Sequence, residues 1–319
     1  MSGRRTVVST AERLAADVRA GLHQSPPTLP ARWFYDERGS KLFDEITRLP
    51  EYYPTRRETE ILVQHARDIV TLTKATTLVE LGSGTSAKTR LLLDAFSHRG
   101  ALTFVPIDIS VEVLTGAAQR TADDYPDVTV HALVADLDDP LGPLPGDPGQ
   151  RLVAFLGGTI GNYTAAGRAA FFDRLRDSLD QSDHFLLGAD LKKDPARLVA
   201  AYDDSAGVTA EFNRNLIDVL RRELDAEGIE SSDFDHIARW NDDLGQIEMW
   251  LRARRDIHAS FRLIGIEWDL PAGGEMLTEI SVKFDLPVLH AELEVAGFDV
   301  AEAWTDAAGD FSLSLLVAR

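Results

Sequence analysis

The segment VELGSGTSAKT, residues 79 to 89, carries the glycine spacing in this chain that best suits ligand binding. It follows an apolar run typical of a strand and opens a stretch typical of a helix. Gly82 and Gly84 let the backbone approach a ligand closely and adopt conformations that a Cβ atom would hinder. Asp108 ends the next apolar run, 24 residues after Gly84, about where an acidic side chain binds ribose hydroxyls in nucleotide-binding folds. The pattern predicts a site for a nucleotide-like ligand.

A third acidic position helps to choose between two such ligands. Asp136, followed by Leu137, ends the third apolar run, where S-adenosylmethionine-dependent enzymes of this architecture place a residue near the adenine amino group. Ala87 stands where the third glycine of a dinucleotide-binding G-x-G-x-x-G would be, which disfavours NAD. Asp108 or Asp136 alone is as well explained by a helix cap or a solvated loop. Their joint position at the strand ends favours S-adenosylmethionine.

The segment FLGGTIGNY, residues 155 to 163, follows the fourth apolar run, where methyltransferases place the acceptor nitrogen. It differs from the Asn-Pro-Pro-Tyr type of motif found in enzymes that methylate nucleic-acid bases. A base acceptor is therefore disfavoured.

These motifs sit on a regular alternation of strand-like and helix-like segments, which predicts an α/β fold with a doubly wound parallel sheet. Near-continuous apolar runs are typical of strands covered on both faces. The predicted strands are Thr77 to Leu81, Thr103 to Ile107, Val128 to Val134, Leu152 to Leu156 and His184 to Leu187. The predicted helices between them include Lys88 to Phe96 and Ala165 to Leu179.

The alternation stops after Pro195, which predicts two domains. A long helical stretch follows, and then β-like segments around QIEMWLRARR and FRLIGIEWDL. Near the C-terminus, a helix at Val288 to Ala296 precedes two β runs that would add an edge hairpin to the first sheet. We therefore predict a Rossmann-like domain of residues 57–192 plus 284–319. A second, α+β domain for the substrate would comprise residues 1–56 plus 193–283.

The composition limits the classes of molecule that the protein could bind. The net charge of −19 would repel nucleic-acid phosphates and anionic lipids. The chain has no cysteine, no apolar run of membrane-spanning length and no signal-peptide core at its start. No histidine pair has metal-ligand spacing such as H-x-x-x-H, so no metal is expected. These features favour a cytoplasmic, monomeric enzyme that acts on a small molecule and binds neither nucleic acid nor membranes.

Further motifs make the prediction more specific. Together with the glycine segment and FLGGTIGN, the chain contains WFYDERGSKLFDEIT (33–47), LPEYYPTRRE (49–58), AYDDSAGVTAEFNRN (201–215) and EMLTEISVKF (275–284). This set resembles the histidine-specific methyltransferases of ergothioneine biosynthesis. The resemblance spans nearly the whole chain, and it implies trimethylation of the α-amino group of free L-histidine to hercynine with S-adenosylmethionine as cofactor.

The resemblance also implies roles for individual residues. Cofactor binding would involve Gly82, Ser83, Gly84, Lys88, Asp108, Asp136 and Leu137. Substrate binding would involve Tyr35, Tyr52, Gly157, Asn162, Tyr202, Met249, Glu279 and Ser281, with Tyr35 and Asn162 also assigned to catalysis. Asn162 and Tyr202 would bind the carboxylate, and Met249, Glu279 and Ser281 would surround the imidazole. The chain departs from the family pattern at Gly158, usually serine, and at Leu137, usually phenylalanine, which would alter affinity rather than the reaction.

The assigned residue types suit the chemistry. Neutral donors such as Asn162 and Tyr202 can grip a carboxylate that an acidic side chain would repel. Glu279 and Ser281, two residues apart on a strand, project from one face and could accept from one imidazole nitrogen and donate to the other. Taken alone, Glu279 reads as a solvated strand residue, and Tyr35 and Tyr52 read equally well as packing residues. The base that takes the amine proton stays open between Tyr35 and ordered water.

Two alternatives stay open at this point. One is an N-methyltransferase for another aromatic amino acid or an indole amine, in which Glu279 and Ser281 would be replaced. The other is a catalytically silent binding module, in which damaged cofactor loops would be expected. The sequence favours the histidine enzyme over both alternatives, because Glu279 and Ser281 are present and the cofactor motifs are intact.

Overall fold

The computed structural model describes residues 10–84, 86, 88–98 and 100–319. Ala87 and residues 1–9 of the predicted substrate domain lie outside the described residues. The chain forms two compact units. Unit 1 comprises Met1–Tyr52, Pro195–Asn241 and Ile247–Ile280, and unit 2 comprises Tyr53–Asp194, Asp242–Gln246 and Ser281–Arg319. Within the described residues, no helix is both long and apolar enough to cross a membrane.

The helices and strands follow one another in chain order. The helices are α1 (Thr10–Gly21), α2 (Glu37–Ile46), α3 (Pro54–Thr73), α4 (Arg90–Ser97), α5 (Val111–Asp124), α6 (Ala165–Ser178), α7 (Pro195–Tyr202), α8 (Val208–Leu224) and α9 (Leu286–Val295). The strands are β1 (Thr77–Leu81), β2 (Leu102–Asp108), β3 (Val128–Val130), β4 (Leu133–Val134), β5 (Arg151–Phe155), β6 (His184–Asp190), β7 (Ala226–Glu227), β8 (Phe234–Asn241), β9 (Gln246–Ala253), β10 (Ile257–Phe261), β11 (Ile266–Leu270), β12 (Glu275–Val282), β13 (Phe298–Thr305) and β14 (Phe311–Ala318).

Unit 2 is built on one sheet with the strand order β13-β14-β6-β5-β1-β2-β3, and β4 extends the edge by pairing with β2. The strands from β6 to β3 run parallel. The C-terminal hairpin of β13 and β14 joins antiparallel to β6, as the sequence predicts. These features confirm the α/β, Rossmann-like fold class.

The predicted third strand, Val128 to Val134, is wrong in one respect. It is split into β3 and β4, and both are partly or fully exposed instead of covered on both faces. The physical reason is their position at the sheet edge, where β2 is the neighbouring strand. At the break the His131 N–H still donates to the Phe104 carbonyl at 2.8 Å.

The core of unit 2 lies on both faces of this sheet. Side chains of alternating position along each strand enter opposite clusters, as the two-residue period of a strand requires. Val79 and Val153 face a cluster that includes α6 and α9 residues, whereas Leu78 and Leu152 face one that includes α3 and α4 residues. The carboxyl ends of β1, β2, β4, β5 and β6 therefore meet at one edge of a sheet whose central strands are buried.

Unit 1 combines helices with two small three-stranded sheets, the antiparallel sheet β11-β10-β7 and a second sheet in the order β12-β9-β8. The predicted β segment FRLIGIEWDL spans the turn between β10 and β11 and is therefore not one strand. The long helical stretch after Pro195 is divided into α7 and α8. Asp204 separates them, because its carboxylate accepts the Val208 and Thr209 N–H groups at 3.0 and 2.7 Å and so begins α8.

Candidate active site

The glycine loop after β1 is bound directly to Asp108 at the end of β2. The Gly84 N–H donates to Asp108 Oδ2 and the Ser110 N–H to Oδ1, each at 2.9 Å. Gly82 and Gly84 have φ values of 62° and 49°, in the region that favours glycine. An ionised carboxylate has about four acceptor positions. Asp108 thus shapes the loop and keeps acceptor capacity for further hydrogen-bond donors.

Leu137 and Asp136 complete the predicted cofactor edge after β4. Leu137 Cδ1 lies 3.9 Å from the position that a Cβ atom on Gly82 would occupy. The Asp136 carboxylate accepts the Asp138 N–H at 2.9 Å and is partly exposed. The structure therefore brings the three predicted strand-end motifs to one edge of unit 2.

The loop contains a polar atom suited to a ligand. The Ser83 hydroxyl oxygen is buried and has no hydrogen-bond partner within the described part of the chain. A buried polar group without a partner costs free energy, so a ligand that supplied one would be favoured. Ser83, Asp108 and Lys88 form a donor and acceptor set that fits an amino-acid-bearing nucleoside such as S-adenosylmethionine.

Glu80, on β1, holds the glycine loop through two hydrogen bonds, and it was not predicted from the sequence. Ser86 Oγ donates to Glu80 Oε2 at 2.8 Å, and Thr89 Oγ1 donates to Oε1. Burial raises the pKa of Glu80 to about 7, although both hydroxyl hydrogen bonds oppose the shift. An acidic residue within the apolar run TLVEL is the sequence signal that could have identified it.

The raised pKa of Glu80 makes a testable contribution to pH-dependent stability. Folding favours the protonated carboxyl, so the wild-type free energy of unfolding should fall as the pH rises from about 4.5 to about 7. Glu80→Gln cannot ionise and should lack this component, which amounts to roughly 3 kcal/mol. Urea unfolding of both proteins at about pH 5 and about pH 8 measures the difference. Parallel pH profiles would contradict the prediction.

A buried carboxylate joins the predicted cofactor and substrate residues of unit 2. Glu58, on α3, is 0% exposed and accepts the Gly157 N–H with both oxygens, at 2.8 and 2.9 Å. Lys88 Nζ donates to the same carboxylate. Gly188, on β6, makes room for it, because a Cβ atom there would lie 2.2 Å from Glu58 Oε1. Glu58 thus couples the glycine-loop cation to the loop after β5, and the sequence analysis did not assign it a role.

The loop after β5 turns sharply before Asn162. Gly157 and Gly158 have φ values of 83° and 70°, and a short 3-10 helix, Thr159–Asn162, follows. Gly161 packs against the end of β12, where an added Cβ atom would lie 2.8 Å from the Val282 carbonyl oxygen and 3.5 Å from Ser281 Oγ. Two predicted substrate residues, Asn162 and Ser281, are thereby brought onto neighbouring backbone.

A second buried group of charges lies at the end of β6, and we call Tyr53, Asp190, Lys193 and Lys283 the Asp190 cluster. The Tyr53 hydroxyl donates to Asp190 at 2.8 Å. Lys193 Nζ and Lys283 Nζ bind the same carboxylate at 2.6 and 2.9 Å. Burial lowers the pKa of Lys193, against the attraction of Asp190. The cluster was not predicted from the sequence, since each member alone is typical of a loop or of the end of a secondary-structure element.

In unit 1, three predicted substrate tyrosines belong to one aromatic cluster, formed by Tyr35, Phe43, Tyr52, Tyr202 and Phe212. Ring centroids are 5.4 Å apart for Tyr35 and Phe212, 6.1 Å for Phe43 and Tyr52, and 6.2 Å for Tyr52 and Tyr202. Tyr52 and Tyr202 are buried, and Tyr35 is half-buried. Such faces attract cations, including quaternary ammonium groups.

The predicted imidazole residues of unit 1 lie on adjacent strands. Met249 is buried on β9, and Thr278 Oγ1 on β12 donates to its carbonyl oxygen at 2.9 Å. Glu279 follows Thr278 and is half-buried. Across the described residues, no group of three or more acidic or histidine side chains could hold a metal ion.

Comparison with known proteins adds an independent line of evidence. Residues 14–318 match the family model described as histidine-specific methyltransferase, SAM-dependent. The chain is 52% identical over 310 residues to the histidine N-alpha-methyltransferase of Mycolicibacterium smegmatis, covering 97% of this chain and 96% of that protein. It is 50% identical over 303 residues to the Mycobacterium tuberculosis protein of the same name, covering 95% and 94%.

A fungal relative matches over a shorter region. Ergothioneine biosynthesis protein 1 of Neurospora crassa is 36% identical over 195 residues, which is 60% of this chain and 22% of the fungal protein.

Proposed function

Because the chain belongs to the family of S-adenosylmethionine-dependent, histidine-specific methyltransferases, we propose that it methylates the α-amino nitrogen of free L-histidine three times to give hercynine. The names of the two mycobacterial relatives support the position of the methyl groups. The name of the fungal relative supports a place in ergothioneine biosynthesis. The structural observation that carries the proposal is that Lys88 of the cofactor loop and Gly157 of the acceptor loop bind one buried carboxylate, Glu58.

The residues around the glycine loop fit the family's cofactor. We assign the ribose hydroxyls to Asp108, the adenine edge to Asp136 and Leu137, and the cofactor carboxylate to Lys88. Gly82, Ser83 and Gly84 would line the cofactor backbone. When bound, the cofactor supplies an electrophilic methyl group on a sulfonium.

The proposed substrate residues form three groups, each for a different part of the histidine molecule. Asn162 and Tyr202 would donate to the histidine carboxylate. Tyr35, Tyr52 and Gly157 would surround the amine, and Met249, Glu279 and Ser281 the imidazole. We assign Tyr35, at the amine, and Asn162, at the adjacent carboxylate, to catalysis.

Methyl transfer to nitrogen requires an unprotonated amine held in line with the methyl group. The α-amino group of an amino acid is largely protonated at neutral pH, so each transfer must release one proton, through Tyr35 or water. In each step a nitrogen–carbon bond forms as the carbon–sulfur bond breaks. The third transfer leaves a quaternary ammonium, which the tyrosine faces of the aromatic cluster would stabilise.

We also propose where and in what state the enzyme works. We propose a monomer that binds no nucleic acid, because the net charge of −19 would repel phosphates, and a cytoplasmic location, because the sequence has no cysteine to form disulfides. A sedimentation measurement tests the monomer.

The direct test of the reaction is an incubation with S-adenosylmethionine and each of the twenty free amino acids, read by mass spectrometry. We expect histidine alone to gain methyl groups, up to three, with fragmentation placing them on the α-nitrogen. Methylation of tryptophan or another aromatic amino acid in preference to histidine would overturn the proposal. So would the absence of any product from a protein that binds the cofactor.

Cofactor binding is tested at Asp108. Asp108→Ala should weaken S-adenosylmethionine binding by about 1 to 3 kcal/mol, because it removes a charged hydrogen-bond acceptor. Asp108→Asn keeps one acceptor for the loop N–H groups and should lose less. Asp127→Ala, an exposed aspartate just before β3, is the matched control. Calorimetry showing unchanged affinity for a folded Asp108→Ala protein would rule out the assignment.

A further inference from the structure

Lys88 is the basic residue of the glycine segment, and its ammonium is held by a single carboxylate. Among the residues that the structure describes, the hydrogen-bond partner of Lys88 Nζ is Glu58. An ammonium group has three donors, so within that part of the chain two of them remain for a ligand. The next basic side chain, Arg90, is engaged elsewhere, with Nη2 at 2.6 Å from Asp124 Oδ2. Lys88 is therefore the cation of this segment that can meet a ligand carboxylate.

We propose that Glu58 is a positioning residue for the cofactor, which holds the Lys88 ammonium in the place where its remaining donors meet the carboxylate of S-adenosylmethionine. A lysine ammonium is a point charge at the end of a flexible stem. Fixing such a stem costs rotamer entropy, and Glu58 imposes this order before the cofactor binds. The inference rests on the proposed function in one respect, the assignment of Lys88 to the cofactor carboxylate.

Glu58 can fix another side chain because it is fixed itself. Its helix, α3, is anchored to the sheet by Ile61 and Leu62, which are fully buried in the same core cluster as Leu78 of β1. The Glu58 side chain is 0% exposed, and both of its oxygens accept the Gly157 N–H, at 2.8 and 2.9 Å. The carboxylate therefore has a defined position from which to hold the ammonium.

The position that Glu58 gives to Lys88 lies between two loops at the carboxyl edge of the sheet. Strands β1 and β5 are parallel neighbours, so the loops that follow them leave the same edge. A Cβ atom on Gly82 of the first loop would lie 3.8 Å from Phe155 Cε2 at the end of β5. A Cβ atom on Gly157 of the second loop would lie 3.3 Å from Lys88 Nζ. The ammonium is thus held at the strand edge that we assign to the cofactor.

Two other roles for Glu58 lead to different expectations. If Glu58 only braced the fold, its replacement would weaken the binding of every part of the cofactor equally. If Glu58 competed with the cofactor for Lys88, its replacement would strengthen the binding of a ligand that carries the carboxylate. A positioning role instead requires weaker binding of carboxylate-bearing ligands alone.

Two ligands separate these roles, because S-adenosylhomocysteine carries the amino-acid end of the cofactor and methylthioadenosine lacks it. Calorimetry measures the affinity of both ligands for the wild type, for Glu58→Gln and for the control Glu60→Gln, which changes a partly exposed carboxylate on the same helix. Glu58→Gln should weaken the binding of S-adenosylhomocysteine about 10-fold, the scale of the rotamer freedom that the lysine would regain. It should weaken the binding of methylthioadenosine less than about twofold. Glu60→Gln should change neither affinity.

A double-mutant cycle decides whether Glu58 acts through Lys88. In a Lys88→Met background, Glu58→Gln should cause no further loss of affinity for S-adenosylhomocysteine. Equal losses for the two ligands, tighter binding of S-adenosylhomocysteine to Glu58→Gln, or an undiminished loss in the Lys88→Met background would overturn the inference. If Glu58→Gln does not fold, Glu58→Asp, whose carboxylate reaches one methylene less far, enters the same measurements with the same outcomes.

A failure of the proposed function gives a different result. Unchanged affinity of Lys88→Met for S-adenosylhomocysteine would overturn the assignment of Lys88 to the cofactor carboxylate, and the inference with it. A loss in Lys88→Met without a loss in Glu58→Gln would overturn the inference alone. None of these measurements contains histidine, so the identity of the methylated amino acid is decided separately.

Discussion

Replacement of Glu58 by alanine should lower the free energy of unfolding by about 3 kcal/mol or more, the scale for breaking a buried ion pair. The variant would leave the Lys88 ammonium without its carboxylate partner and remove the acceptor of the Gly157 N–H. Buried groups that lose their partners cost more than the net value of the interaction they made. Urea denaturation monitored by circular dichroism measures the change.

The matched control lies two residues along the same helix. Glu60 is partly exposed and pairs with Arg57 at 3.1 Å, so Glu60→Ala should cost no more than about 1 kcal/mol. Equal losses for Glu58→Ala and Glu60→Ala would contradict the special role of Glu58.

Gly188→Ala tests the same arrangement from the other side. Its Cβ atom would displace the Glu58 carboxylate, so the substitution should destabilise the wild type strongly and the Glu58→Ala protein much less. If Gly188→Ala and Glu58→Ala lowered the free energy of unfolding additively, the need for glycine at position 188 would have a different reason, such as its approach to the Phe311 ring.

The contrast between what the sequence predicted and what it missed has a physical origin. The run TLVEL coincides with β1, because a strand buried on both faces is mostly apolar, and Glu80 is the one charged residue in it. The edge segment Val128 to Val134 lacks that constraint, since an edge strand has one neighbour and an exposed face. The single strand predicted there is two short strands in the structure.

The cofactor loop was predictable because its parts follow a rule that links chain position to space. Strand ends of a parallel sheet meet at one edge, so Gly84 and Asp108 could be placed together from their positions alone. The roles assigned to them through the family resemblance stay proposals.

The partners of Glu58 and Asp190 follow from no such rule, although Asp190 itself ends β6. Glu58 is 99 residues from Gly157, and Asp190 is 137 residues from Tyr53. Glu58 on α3 and Tyr53 just before it reach these partners only through the packing of α3 on the sheet. An isolated glutamate in TRRE or an aspartate in ADLKKD is indistinguishable by type from a solvated one.

The largest expected change in specificity is at Glu279. Glu279→Ala should cost about 2 to 4 kcal/mol in transition-state binding of histidine, because it would remove the charged acceptor that we propose for the imidazole N–H. A site built to hydrogen-bond a polar ring excludes apolar rings mainly because its own polar groups would be left without partners. When the carboxylate is removed, that penalty disappears, so activity toward tryptophan or phenylalanine should fall less than activity toward histidine, or rise.

The control for Glu279 is on the same strand. Glu275 pairs with Arg239 and Arg252, so Glu275→Ala removes a negative charge from β12 without changing a residue assigned to the ring. Measurement of kcat/KM for histidine and tryptophan with the wild type and both variants decides the matter. We expect the histidine-to-tryptophan ratio to collapse in Glu279→Ala and to persist in Glu275→Ala. An unchanged ratio in a folded Glu279→Ala protein would mean that Glu279 does not recognise the imidazole ring. An equal fall in both variants would mean that the charge of the strand, rather than a hydrogen bond to imidazole, sets the preference.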